Sequence, residues 1–114
     1  MVSPSAGAVV LVPFPFSDLS HAKLRPAVVL AGAGRGDWIS CQITSKPYGD
    51  PSAISLIDDS FSEGSLQIIS YARPGKLFTA NQNLMVAKVG SLKVDPFKQI
   101  IEAVITILRN SLSS

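Results

Sequence analysis

The C-terminal end of the sequence does most to limit the fold. Asp95-Pro96 is a helix-start signal: the carboxylate can accept from free backbone amides, and proline suits the first helical position. Phe97, Ile100, Ile101, Val104, Ile105 and Leu108 follow at helical spacing and make one apolar face, with Lys98, Glu102 and Arg109 elsewhere. The spacing predicts a helix from about Pro96 to Asn110. Such a stripe needs a layer to lie against, and the preceding chain reads as strands. Ala8 to Val12 is an apolar run too short for a helix and closed by Pro13 and Pro15. Arg25-Pro26 opens a second strand, Ala27 to Leu30; Gly32, Gly34 and Gly36 mark a turn; Asp37 to Thr44 reads as a third strand. After a Pro- and Gly-containing loop from Ser45 to Pro51, Ala53 to Ile57 is a candidate fourth strand. Leu66 to Tyr71 and Lys76 to Thr79 are further candidates, broken by Pro74-Gly75, and Met85 to Val89 is short and ambiguous. Strands first and one strong helix last predict an α+β fold, with the helix packed across a small barrel or meander.

A chain of 114 residues suits one domain, residues 1–114. Apolar residues make up 46% and charged residues 16%, which excludes a disordered chain. So little charge implies that some apolar surface is covered by a partner, and a two-fold homodimer is the commonest cover. Net charge is only +2, but its distribution is uneven. Asp50, Asp58, Asp59 and Glu63 have no basic residue among them, whereas Arg73, Lys76, Lys88, Lys93 and Lys98 face only Asp95. A cationic surface is compatible with that pattern. Cys41 is the only cysteine, so neither an internal disulfide nor a thiolate cluster is expected. Met1 to Gly7 does not read as a signal peptide, and no apolar run reaches the ~18 residues of a membrane span. A cytoplasmic protein without membrane partners is the expectation.

Ordinary catalytic motifs are missing. No glycine-rich loop ends in Lys-Ser or Lys-Thr, and one histidine cannot supply a zinc pair or a two-histidine nuclease site. The stretch from Gly32 to Gly36 lies between strands and reads as a turn. Asp58, Asp59 and Glu63 could offer oxygen ligands to a divalent cation, but a solvated loop edge is the better account. A polar set around the loops remains. Ser17, Asp18, Ser20, His21, Lys23 and Arg25 lie within nine positions between two strands; Thr44, Ser45 and Lys46 end the third strand; Arg73 and Lys76 flank Pro74-Gly75. Arginine, lysine and hydroxyl groups together suit a phosphate, with arginine able to bind two oxygens at once.

The segment from Gly7 to Leu19, with Pro13-Phe14-Pro15-Phe16-Ser17-Asp18 at its centre, and the segment Lys23-Leu24-Arg25-Pro26-Ala27-Val28-Val29-Leu30 are similar to the N-terminal signature of MazF/PemK toxins. Gln42-Ile43-Thr44-Ser45 resembles the family's second motif, Ser70 to Thr79 its third, and Val89-Gly90-Ser91-Leu92 its end. The resemblance covers nearly the whole chain in order, and its first motif is the specific one. It implies an SH3-like antiparallel barrel with a C-terminal helix. It also implies a homodimer that cuts single-stranded RNA at short sequences without a metal or other cofactor and is silenced by an antitoxin. Arg25 matches the family's motif arginine and Thr44 its motif threonine, both held to be catalytic. Two positions depart from the pattern. Ala8 stands where an acid is usual, for which a lost surface or turn contact is expected. Gly75 stands where many members have Asp or Glu, an acid assigned a catalytic role in some.

Metal-free RNA cleavage uses the substrate's own 2′-hydroxyl as nucleophile. The protein must take that proton, stabilise the phosphorane charge and protonate the leaving 5′-oxygen. Products are a 2′,3′-cyclic phosphate and a 5′-hydroxyl. Arg25 suits charge stabilisation but is a poor base, its pKa lying above ~12. Thr44 would position the phosphate. The base stays open: His21 titrates in the right range and stands four residues before Arg25. Lys23, Ser45, Lys46, Arg73 and Lys76 are candidate RNA contacts, and Trp38 and Tyr71 could stack bases, although a core Trp38 is the safer assignment. The alternative is a non-catalytic toxin of the same fold, like those of the CcdB type, acting on a protein such as a gyrase subunit. The Arg25-Pro26 motif with Thr44 favours the nuclease.

Overall fold

The computed structural model describes residues 2–14 and 23–113. Its elements are β1 (Ala8–Phe14), β2 (Lys23–Gly34), β3 (Asp37–Thr44), β4 (Ile54–Leu56), β5 (Phe61–Gly64), β6 (Ser70–Asn81), β7 (Ala87–Leu92) and α1 (Val94–Asn110). Short 3-10 turns occupy Asp58–Ser60 and Gln82–Leu84. Among the described residues the strands form one antiparallel sheet, ordered β4-β6-β3-β2-β1-β7-β5. The sheet curls into an SH3-like half-barrel, and α1 lies across it, the α+β arrangement expected.

β1 and β2 lack polar alternation because both of their faces are covered. Val9, Val28, Leu30, Cys41, Ile43, Leu56 and Ala72 turn toward Ile100 of α1, around which Phe97, Ile101 and Val104 pack. Val10, Val12, Ala27 and Val29 turn the other way and join Ala80 and Met85, with Val2, Trp38 and Phe78 against them. Trp38 is therefore a half-buried packing residue. Ala8 belongs to the second cluster and is buried, so the expected surface or turn position is corrected: a carboxylate there would need a buried partner.

Three further expectations are revised. Pro74-Gly75 does not end a strand: β6 runs through it. Ile43 pairs with Ala72 and Cys41 with Leu77, so Arg73 to Lys76 bulge out opposite Gln42 alone. Proline survives there because a bulged residue need not donate to the ladder. The bulge is tied down by Cys41, whose thiol lies 3.1 Å from the Arg73 carbonyl and is pushed up to about 12 by burial. Second, β5 went unseen in a polar stretch. It pairs with β7 at the sheet edge, and Gly64, at φ +68, lies so close that a Cβ would overlap the Val89 carbonyl. Third, α1 starts at Val94, not at Pro96; Lys93 is the N-cap and makes no side-chain cap. Asp95 and Pro96 fall inside the first turn, where proline is tolerated because those amides have no intrahelical acceptor.

Candidate active site

Arg25 sits in β2 opposite Val12 of β1. The β2–β3 pairing sets Ala27 against Gln42 and Val28 against Cys41. Carried two residues further, this register brings Arg25 opposite Thr44. Thr44 pairs in turn with Tyr71 of β6, and Tyr71 with Ser55 of β4. Arg25, Thr44 and Tyr71 thus form one cross-strand row on the sheet side away from α1, the side shared by Ala27 and Val29.

Arg25, Thr44 and Ser45 line a cleft of about 270 Å³ with Leu24, Pro26, Leu66, Ile68 and Ser70 among its walls. Arg25 is half-buried, its Nε fully so. Leu24 and Pro26 alternate with Arg25, and Leu66 packs on the α1-side cluster, so these apolar residues border the cleft from the other face of the sheet. Among the described residues lining the cleft there is no carboxylate and no imidazole. The Thr44 hydroxyl closes the strand locally: it accepts from the Lys46 amide and donates to the Lys46 carbonyl, both at 3.1 Å. Ser45 and Lys46 are exposed beyond it, and Lys23 is exposed two residues before Arg25 on the same side of β2.

Arg73 and Lys76 form a second group, on the β6 bulge. Arg73 Nε donates to Asp50 Oδ2 at 3.0 Å in a half-sheltered ion pair. That hydrogen bond, with a second from the Ser52 amide, holds the Asp50 carboxyl below its usual range, and the charge of Lys76 adds to the effect. Gly75 faces α1: a Cβ there would lie 4.0 Å from Ile107 Cδ1. His21, like Ser17, Asp18 and Ser20, lies outside the described residues.

The acidic trio does not converge. Glu63 binds Lys88 at 2.8 Å, which with Ser91 holds its carboxyl low; Asp59 binds Lys93 at 3.1 Å; Asp58 accepts from the Ser65 hydroxyl. No group of three His, Cys, Asp or Glu among the described residues could hold a metal ion. A larger depression, about 460 Å³, lies at the start of α1 beside Asp59 and Asp95. Those carboxylates repel a phosphate, so the smaller cleft is the better site for one. The sequence reading missed the apolar walls from Leu66 and Ile68 and the Asp50–Arg73 clamp. Asp50 stands 23 positions before Arg73, and only the fold joins them.

The half-barrel with its single closing helix is the architecture of small MazF-like toxins. A MazE–MazF complex from Deinococcus radiodurans matches it with a TM-score of 0.74 at 19% identity, covering 92% of this chain and 95% of that one. An endoribonuclease in complex with its cognate antitoxin, from a Mycobacterial species, matches with a TM-score of 0.71 at 15% identity, covering 93% and 95%. The sequence places the chain more narrowly: residues 5–108 match the PemK-like, MazF-like toxin of type II toxin-antitoxin systems, and the chain belongs to that family. No curated relative matches it by sequence.

Proposed function

We propose that this toxin is a metal-independent, sequence-specific endoribonuclease that cleaves single-stranded RNA, inhibits translation and is neutralised by a cognate antitoxin. The observation that carries the proposal is the cross-strand Arg25–Thr44 row at the edge of the small cleft. The RNA 2′-hydroxyl loses its proton and attacks its own phosphate, and the bond to the 5′-oxygen breaks as that oxygen takes a proton from water, leaving a 2′,3′-cyclic phosphate and a 5′-hydroxyl. Arg25 neutralises the charge that grows on the phosphorane oxygens, presenting two N–H groups in one plane. Thr44 exchanges its Lys46 carbonyl for a phosphate oxygen. His21, two residues before β2, is the proposed acceptor of the 2′-hydroxyl proton. Lys23, Ser45, Lys46 and Lys76 hold the flanking backbone, and Arg73, with one donor engaged by Asp50, keeps others for phosphate.

The expected site is one cytoplasmic toxin domain, residues 1–114, working as a homodimer. Ile105, Leu108 and Leu112 make an exposed stripe on and just beyond α1, and Ile39 and Leu77 are exposed on the sheet; a second copy would cover them. Sedimentation as a monomer at micromolar concentration overturns that assembly. No helix of the described residues is long and apolar enough to cross a membrane.

The deciding assay is incubation with a long single-stranded transcript in EDTA. Fragments with 2′,3′-cyclic phosphate and 5′-hydroxyl ends are expected. Cleavage lost in EDTA and restored by magnesium refutes the mechanism. No cleavage under either condition refutes the nuclease.

A further inference from the structure

The loop between β3 and β4 carries an aromatic side chain that neither packing nor backbone preference requires. Pro47-Tyr48-Gly49-Asp50 is a tight turn closed by the Asp50 amide, which donates to the Pro47 carbonyl at 3.0 Å. Both central residues are left-handed, with φ 55 at Tyr48 and 72 at Gly49. Two successive positive φ values are the mark of a type I′ turn, whose first central position takes Asn, Asp or Gly. A bulky side chain there crowds the backbone. Nor is Tyr48 drawn into that position by burial, because it is 76% exposed.

The turn is held on both sides. Before it, the Thr44 hydroxyl accepts from the Lys46 amide. After it, the Asp50 carboxylate accepts from the Ser52 amide at 2.9 Å and from Arg73 at 3.0 Å. Tyr48 therefore projects from a braced support. It lies within about 14 Å of Thr44, four residues at ~3.5 Å each. Lys46 is exposed on one side of the turn, and exposed Lys76 is near enough for its charge to act on Asp50 on the other. An exposed ring between cations is the composition of a platform for single-stranded nucleic acid, in which lysines meet phosphates and the ring meets a base. Strained backbone held by its surroundings is common where a ligand is gripped.

We propose that Tyr48 is a positioning residue that stacks on an RNA base flanking the scissile phosphate and so contributes to RNA affinity. The inference rests on the ribonuclease function proposed above. Single-turnover cleavage of a long transcript separates the two: a wild-type chain that does not cleave refutes the nuclease, whereas the Tyr48 assignment is decided by binding. Binding is read by anisotropy of a labelled 2′-O-methyl oligonucleotide, taken from a cleaved sequence or, without cleavage, from a mixed single-stranded pool. Tyr48→Asn suits the turn better and should melt at or above wild type, yet bind about five- to 150-fold more weakly, the measured range for one stacked base. Tyr48→Phe keeps the ring and should bind within about twofold of wild type. Cleavage by Tyr48→Asn should recover at saturating RNA, the loss falling on KM rather than kcat. Tyr48→Asn binding within about twofold of wild type overturns the assignment, as does Tyr48→Phe binding as weakly as Tyr48→Asn. Unchanged RNA binding with lost neutralisation by the antitoxin would give the ring to a protein partner and overturns it too.

Discussion

Replacing Arg25 by alanine separates chemistry from folding. Arg25 is half-buried, so an effective dielectric near ~20 applies. A full charge about 4 Å from the guanidinium is then stabilised by roughly 4 kcal/mol, equivalent to about 10³ in rate. Loss of one such donor elsewhere costs about 10²–10³ in turnover, so the two approaches agree. The effect on stability is smaller. Truncating the half-buried Arg25 side chain should cost about 1 kcal/mol, or ~4 °C in melting temperature. Arg25→Ala is thus expected to fall at least a hundredfold in single-turnover cleavage at saturating RNA while remaining folded. Arg25→Lys should recover little, because a point charge cannot reproduce the planar fork. A rate for folded Arg25→Ala within about threefold of wild type refutes the catalytic assignment.

Asp50→Asn removes the Arg73 clamp. Because the Asp50 carboxyl is held below its usual value when folded, its stabilisation is present above the unfolded pKa near ~3.9 and is lost as pH falls through the lower folded value. The variant should melt below wild type at pH 7, and the gap should close in acid; an undiminished gap near pH ~2 would show that the carboxylate charge is irrelevant. Gly64→Ala should destabilise by roughly 2–4 kcal/mol, combining left-handed strain with overlap at Val89. Thermal melting lowered by less than ~3 °C would show that β5 can shift away from β7 without consequence.

The parts of the fold legible in the sequence are those where one physical signal acts alone. The β1 and β2 runs announce strands covered on both faces, and the α1 stripe follows its period through Leu108. α1 starts two residues before the expected Pro96, because Asp95 has the chemistry of a cap but lies two positions past the N-cap Lys93. β5 was hidden because Phe61 is its only apolar residue and its stability comes from β7. In β6, Pro74-Gly75 looks like a terminator, and only pairing with β3 shows it as a bulge. At the candidate site, Arg25 and Thr44 were legible as motif residues, but their opposition depends on register. Tyr48 was not, since nothing local to Pro47-Tyr48-Gly49-Asp50 fixes the turn type before β3 and β4 are placed.

The β6 bulge also sets a phase. Cys41 and Ile43 are two residues apart, whereas their partners Leu77 and Ala72 are five apart, an excess of three. Because side chains alternate with period two, an odd excess exchanges the two faces of the strand. Before the bulge the even-numbered Ala72 turns toward α1; after it the even-numbered Phe78 and Ala80 turn away, into the second cluster. An even excess could relax by sliding β6 along β3 with every apolar side chain still covered. An odd excess cannot, since the slide would expose one half of the strand's apolar residues. The bulge is therefore self-locking, and Arg73 at its start, with Asp50 bound to it, is held in place by hydrophobic alternation several residues away.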